Sequence, residues 1–268
     1  MDFKDRYGPW ALVAGASEGT GRAFAQQIAA RGVPLVLLAR RAAPLQALAD
    51  EIRARYGVEC VTACVDLAAD DAYAQIVAAV DGREIGLFVS NAGADPYGAR
   101  FLDRDIGDWL ALARRNTLIT LECCHHFAQA MKVRGRGGLL LVNSGACYGG
   151  SSFMATYAAS KAFTLCFGEG LWAELHPHGV DVLNLVLGRT DTPAFRQMLA
   201  DKQQPMPAAG VASADDVARV GLERLAHGPV HNWGIDDGQA GFAPNSAAAR
   251  RERILAVDRV SRQIFGDQ

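Results

Sequence analysis

The sequence predicts an α/β fold, a doubly wound parallel sheet with helices on both faces. Three observations lead there. Apolar runs alternate with helix-spaced amphipathic stretches along most of the 268 residues. Strands covered on both faces by crossover helices have that unbroken apolar character. A glycine turn, "GASEGTGRAF" (15–24), lies directly after the first apolar run and opens a helical stretch. No Pro/Ser-rich linker or internal repeat divides the chain, so residues 1–268 read as one domain.

The elements follow in order. "WALVAG" (10–15) is a buried strand, and residues 20–31 form a helix with Phe24 and Ile28 one turn apart. "VPLVLLA" (33–39) is the second strand. Leu45, Leu48, Ile52 and Tyr56 mark a helix over 43–57, stopped by Gly57. "VECVTACVD" (58–66) is a strand, 69–80 a helix carrying Tyr73, Ile76, Val77 and Val80, and "IGLFVSNAG" (85–93) a fourth strand. A helix over roughly 107–132 precedes the strand "GLLLVNS" (138–144). Another helix covers about 155–176, then comes the strand "VDVLNLVLG" (180–188). "SADD" at 213–216 supplies an N-cap and first-turn acids for a further helix. In the last stretch, 228–268, "ARRERILAVDRVSRQIF" fits either a terminal amphipathic helix or a partly ordered tail over about 243–268.

Half of the residues are hydrophobic and the net charge is −2. That balance gives no electrostatic footprint for nucleic acid. No apolar run approaches the roughly 18 residues of a membrane span. The opening "MDFKDRYGPW" is charged and lacks a signal-peptide core, so a soluble cytoplasmic protein is expected. Cys60, Cys64, Cys123, Cys124, Cys147 and Cys166 then read as reduced thiols. "CCHH" (123–126) invites a metal reading, but consecutive helical residues point about 100° apart. Four of them do not converge on one tetrahedral ion, so helix packing is the better reading and no metal is expected.

A strand, a glycine turn and a helix together make a phosphate cradle. Gly15, Gly19 and Gly21 permit positive φ and close backbone approach, and the helix N-terminus supplies free N–H groups. The spacing G-x-x-x-G-x-G differs from the usual G-x-G-x-x-G, and a ligand-free turn is the alternative. Dinucleotide folds often end the second strand with an acid for the ribose 2′-hydroxyl. Here "LLARR" offers Arg40 and Arg41 instead, which suit the 2′-phosphate of NADP; a solvated surface pair is the alternative.

"YAASK" puts Tyr157 and Lys161 at i and i+4, on one helix face. The ammonium is expected to favour the phenolate and lower the tyrosine pKa, giving a proton donor or acceptor for a carbonyl/alcohol pair. Ser144, at a strand's carboxyl end, can polarise a substrate oxygen. Alone, Tyr-x-x-x-Lys is also a common surface pair; its meaning comes from its company.

That company resembles the short-chain dehydrogenase/reductase family. "AGASEGTG" (14–21), "SNAG" (90–93), Asn116, Ser144, "YAASK" and "LGRTDT" (187–192) stand in the family's order over roughly 10–225. The resemblance implies a Rossmann fold and a nicotinamide cofactor, NADP(H) given the arginines. It implies a tetrad of Asn116, Ser144, Tyr157 and Lys161. Tyr157 would exchange the proton, Ser144 hold the substrate oxygen, Lys161 bind the nicotinamide ribose, and Asn116 position a relay water. Gly15, Ser17, Glu18, Gly19, Thr20 and Gly21 would hold the cofactor phosphates. Asp66 and Leu67 match the family's adenine contact, and Asn91, Ala92 and Gly93 its turn beside the cofactor. Gly188, Thr190 and Thr192 match the segment facing carboxamide and pyrophosphate. Two departures stand out: Leu187-Gly188 replaces the usual Pro-Gly, and Ala14 a common Thr whose hydroxyl ties the turn. Family habit implies a homodimer or homotetramer.

Within the family, "YGPWALVAGASEGTGRAF", "HHF" (125–127), "YAASKAF" and "LGRTDTP" are similar to bacterial 7β-hydroxysteroid dehydrogenases. The family's insert over the substrate corresponds to 193–212. There Phe195, Met198, Leu199 and Met206 offer an apolar wall, faced by Tyr148, Phe153 and Met154. The same residues also fit ordinary packing, and Arg196 and Lys202 fit either a substrate carboxylate or plain surface charge. Three functions remain in view. The favoured one is an NADP-dependent oxidoreductase for a steroid-like secondary alcohol or ketone. The second is the same chemistry on a β-ketoacyl thioester, aromatic ketone or polyol. The third is a non-catalytic NADP-sensing protein, for which a full tetrad would be superfluous.

Overall fold

The computed structural model describes residues 2–233 together with 256, 259, 260, 262 and 263. A short helix α1 (Phe3–Tyr7) leads into β1 (Trp10–Ala14), α2 (Gly19–Ala29), β2 (Leu35–Ala39), α3 (Ala42–Tyr56), β3 (Cys60–Cys64), α4 (Ala72–Val80) and β4 (Ile85–Ser90). The second half runs α5 (Ile106–Ala113), α6 (Ile119–Arg134), β5 (Gly137–Ser144), α7 (Ala155–Leu175) and β6 (Val180–Leu187). Then come β7 (Arg189–Asp191), α8 (Pro193–Asp201), β8 (Val211–Ser213), α9 (Ala214–Arg224) and β9 (Val230–Trp233).

Seven strands form one sheet in the order β3-β2-β1-β4-β5-β6-β9, and every neighbouring pair is parallel. Alternate strand residues point to opposite faces. Ala11 and Val13 therefore join one core with Phe24, Ile28, Leu48 and Leu222. Leu12 and Ala14 join the other with Ile76, Phe127 and Met131. Because both faces are buried, the strands carry no polar/apolar alternation, which is the pattern that marked them in the sequence. The strand order reverses between β1 and β4, and that switch point opens a crevice at the strands' carboxyl ends.

Several segments differ from the sequence reading. The single helix expected over 107–132 is α5 and α6 joined by a π-helical turn at Arg114–Leu118. The insert over 193–212 holds α8 and β8, the latter paired with β7 in a small second sheet. Helix α1 is tied down by the buried Asp181 of β6, which accepts from Tyr7 Oη at 2.7 Å and Arg6 Nη2 at 2.8 Å. Cys123 and Cys124 pack into the helix–sheet core, while His126 bonds Tyr73 Oη at 3.0 Å. Most of the expected C-terminal helix or tail (243–268) lies outside the described residues, of which 256, 259, 260, 262 and 263 are helical. Among the described residues no helix is long and apolar enough to cross a membrane.

Candidate active site

The glycine turn after β1 closes around the end of β4. Gly15 (φ +77°) and Gly19 (φ +53°) take left-handed backbone that other residues rarely adopt. A Cβ on Gly15 would lie 3.1 Å from Ala92, and one on Gly21 would run into the Gly15 carbonyl. Asn91 ties the turn down: its Nδ2 donates to Gly15 O at 3.1 Å, and its Oδ1 accepts from Thr20 Oγ1 at 2.6 Å. Thr20 thus supplies a hydroxyl tie that Ala14 cannot. Glu18, the N-cap of α2, makes no side-chain capping bond, so the first N–H groups of the helix remain open to an anion.

These elements border a cleft of about 290 Å³. Gly15, Ser17, Glu18, Gly19 and Thr20 line one side. Arg40 and Arg41 from the end of β2, with Val65 and Leu67 beyond β3, line a second. Asn91, Ala92 and Gly93 line a third, and Thr192 closes the mouth while capping α8 through Phe195 N at 3.1 Å. Other expected cofactor residues do not line this cleft. Gly21 lies behind the turn. Asp66 is exposed, its Oδ1 accepting from Ala68 N at 3.1 Å. Gly188 N donates to Trp233 O at 3.0 Å, and Thr190 Oγ1 to Gly188 O at 3.4 Å.

The tetrad meets the cleft at Gly93. A Cβ there would lie 3.2 Å from Lys161 Nζ and 3.3 Å from Asn116 Oδ1, so both polar groups face one spot. The π-helical turn carries Asn116 inward, where it is 4% exposed. Its Nδ2 donates to Ser160 Oγ at 3.1 Å, while Oδ1 is buried without a partner. Ser144 ends β5, accepts from Ala146 N at 3.3 Å and hydrogen-bonds Tyr157. Lys161 Nζ donates to Val142 O at 3.1 Å and lies 5.7 Å from the Tyr157 ring centroid.

Electrostatics correct one expectation. Tyr157 is not lowered but pushed up to about 12, because burial outweighs the Ser144 hydrogen bond and the Asp95 carboxylate adds to the rise. The ammonium that was to lower it is itself desolvated, which brings Lys161 down to about 8. The phenol therefore keeps its proton throughout the neutral range.

Sequence reasoning missed the support beneath this pair. Asn143 Nδ2 donates to Lys161 O at 3.2 Å and to Asn184 Oδ1 at 3.4 Å. Asn184 Nδ2 donates to Leu165 O at 3.3 Å, and Ser144 N to Asn143 Oδ1 at 2.8 Å. These buried asparagines pin α7 against β5 and β6. A polar residue inside each of two apolar strands was the available signal, since buried polar groups require partners. Asp95 and Arg115 were also missed. Asp95 Oδ1 accepts from Tyr97 N at 2.8 Å, while its Oδ2 is buried and unbonded, and burial raises its pKa.

The candidate substrate residues lie in two places. Tyr148 is buried with Cys147 and Val186, its Oη donating to Asn232 Oδ1 at 2.8 Å. Phe153 is buried at φ +65° with the Arg100 guanidinium 4.9 Å from its ring centroid, and half-buried Met154 precedes α7. Phe195 and Met198 are half-buried and Leu199 buried on α8. Arg196, a candidate carboxylate partner, makes a two-pronged pair with Asp191 at 2.6 Å.

Comparison with known proteins places this architecture. Residues 9–203 match the family model for short chain dehydrogenases. A 7beta-hydroxysteroid dehydrogenase of Collinsella aerofaciens is 34% identical over 195 residues, 73% of this chain and 74% of that protein. A structure solved to explain 7beta-hydroxysteroid dehydrogenase stereoselectivity superposes with a TM-score of 0.84 at 27% identity, covering 96% of this chain and 99% of the other. A Sphingobium yanoikuyae short-chain dehydrogenase in complex with NADPH gives 0.75 at 26% identity, covering 97% and 96%. The family match takes in the glycine turn and the whole tetrad, and with it this chain belongs to the short-chain dehydrogenase family.

Proposed function

We propose that this dehydrogenase interconverts a secondary alcohol and a ketone with NADP(H), and that its substrate is a steroid-sized hydrophobic molecule held beneath residues 193–212. The carrying observation is that Lys161 and Asn116 meet at the Gly93 corner of the cleft, with Tyr157 beside Lys161 and Ser144 hydrogen-bonded to Tyr157. The cleft fits a dinucleotide by its own features: a glycine turn with no room for side chains, uncapped helix N–H groups, and arginines where an acid would favour NAD. Glycine-turn amides would hold the pyrophosphate and Arg40 the 2′-phosphate. A bound nicotinamide supplies or accepts the hydride.

The chain's own residues do the rest. Tyr157, protonated at neutral pH, gives its phenol proton to the carbonyl oxygen, and Ser144 orients that oxygen by hydrogen bonding. Lys161 brings positive charge beside the phenolate formed when the proton leaves. The unpartnered Oδ1 of Asn116 has room to accept from a water that returns the proton.

For the substrate, the 7β-hydroxysteroid dehydrogenase relatives and the apolar side chains of α8 support a bulky alicyclic ligand. Exposed Ile106, Leu110, Leu121 and Phe163 on α5, α6 and α7, with Leu118 on the π-helical turn, support a homo-oligomer. The test is NADPH turnover on keto-steroids, simple cyclic ketones and β-ketoacyl thioesters. Keto-steroids should give the highest kcat/KM. A thioester or polyol preferred by orders of magnitude, with steroids inert, would refute the substrate class and leave the tetrad roles standing.

A further inference from the structure

Three arginines line the cleft, and they are not equivalent. Arg41 Nη2 donates to Glu18 Oε2 at 2.6 Å, so a carboxylate of the glycine turn already answers its charge. Arg40 is exposed and makes no hydrogen bond or ion pair with any described residue. Arg115 enters from the opposite wall, on the π-helical turn beside Asn116. Its Nε and Nη2 are buried and have no hydrogen-bond partner.

A guanidinium carries five N–H donors and no acceptor, and buried donors are seldom left unmade. The acids nearest Arg115 do not serve it. Asp66 and Asp95 attract it through space, but Asp66 accepts from Ala68 N, and the buried Asp95 Oδ2 is itself unbonded. Arg40 repels it, and burial and that repulsion both push its pKa down. The cleft therefore holds two guanidiniums that repel across a gap, one with donors awaiting an acceptor. Adenine and ribose offer only neutral acceptors there. The pyrophosphate already has its place at the open N–H groups of α2. A phosphate monoester, a dianion made of acceptors, suits both arginines.

We infer that Arg115 is the second arginine of a 2′-phosphate clamp, acting across the cleft from Arg40, while Arg41 is held away by Glu18. This rests on the NADP reading above and adds a residue outside the sequence motifs. One π-helical turn then sets both Asn116 of the proton relay and the arginine that selects the cofactor.

Calorimetry with adenosine 2′,5′-bisphosphate and 5′-AMP separates the possibilities, because the two ligands differ only in the 2′-phosphate. The wild type should bind the bisphosphate more tightly. Arg115→Met should weaken the bisphosphate about 10- to 100-fold, the usual worth of hydrogen bonds to a charged group, and leave 5′-AMP within about twofold. Arg115→Lys should recover part of the loss, having charge without the fork. Arg40→Met should resemble Arg115→Met, and Arg41→Met should lose about threefold or less. Unchanged 5′-AMP affinity is also the check that the variant folds. Equal weakening of both ligands by Arg115→Met, or weakening of neither, overturns the inference. A wild type that binds both ligands equally overturns the NADP reading itself.

Discussion

Replacing Lys161 with methionine removes a buried charge from beside Tyr157, and the structure fixes how stability should respond. Lys161 is 6% exposed, and burial brings its pKa from the ordinary 10.5 to about 8. At about 1.4 kcal/mol per unit, that shift corresponds to about 3 kcal/mol of differential stability. Below pH 8 the lysine is charged in both folded and unfolded chains, and the folded state bears the full desolvation cost. Between pH 8 and 10.5 the folded chain has released the proton while the unfolded chain still binds it. Stability rises with pH wherever the unfolded state binds more protons. The wild type should therefore gain about 3 kcal/mol relative to Lys161→Met across that window. Shared groups distant from Lys161 cancel in the difference. The assay is urea denaturation of both ligand-free proteins from pH 7 to 10.5. Parallel stability curves would show that Lys161 is solvated in the folded protein, and the placement of its ammonium against Val142 O would be wrong.

Three further outcomes follow from the same geometry. Tyr157→Phe deletes only the transferable proton, so turnover should fall about 10²–10⁴-fold while NADPH binding, measured by fluorescence titration, is nearly retained; near-wild-type kcat would remove Tyr157 from its role. Arg40→Asp should reverse the NADP/NAD preference in kcat/KM, by repelling a 2′-phosphate and offering an acceptor to a ribose hydroxyl; an unchanged ratio would refute the contact. Shortening Phe195 and Met198 of α8 to alanine should raise KM for keto-steroids more than for small cyclic ketones, with kcat less affected; equal effects would detach α8 from the substrate.

What the sequence made legible depended on how strongly each segment was determined locally. β1, β2, β4 and β6 lie within the expected runs, and β5 starts one residue before its run, because strands buried on both faces leave no competing pattern. The half-buried β9 and the three-residue β7 and β8 escaped notice, since too few residues carry their pairing. α8 had a readable start in Thr192-Pro193, a capping hydroxyl followed by proline at the first helical position. The π-helical turn had none, for its signature lies in backbone hydrogen bonds. The spacing of Tyr157 and Lys161 places both on one helix face but says nothing of burial. The pKa expectation failed on that missing quantity. The asparagines 143 and 184 were visible as polar interruptions of apolar strands, yet only the fold shows that they meet.

The distribution of unmet polar groups separates scaffold from site. Among the described residues, buried side-chain atoms lacking a partner belong to Asp95, Arg115, Asn116, Arg134 and Trp233. Arg115 lines the cleft, Asn116 meets it at Gly93, and Asp95 follows Ala94 and precedes Pro96, both of which line it. Deep in the fold the same kinds of group are satisfied: Asp181 by Arg6 and Tyr7, Asn143 and Asn184 by each other and by α7. A buried polar atom costs free energy unless it is bonded, so the burial of Asp95, Arg115 and Asn116 carries a cost that a polar ligand would offset. The three also differ in chemistry: an amide oxygen facing Gly93, a guanidinium that Arg40 repels, and a carboxylate. Lys161 belongs with them, as a charge that burial opposes and that stands 5.7 Å from the Tyr157 ring centroid. Unmet polar groups and an opposed charge thus gather at one place in the fold, beside the glycine turn and the end of β4.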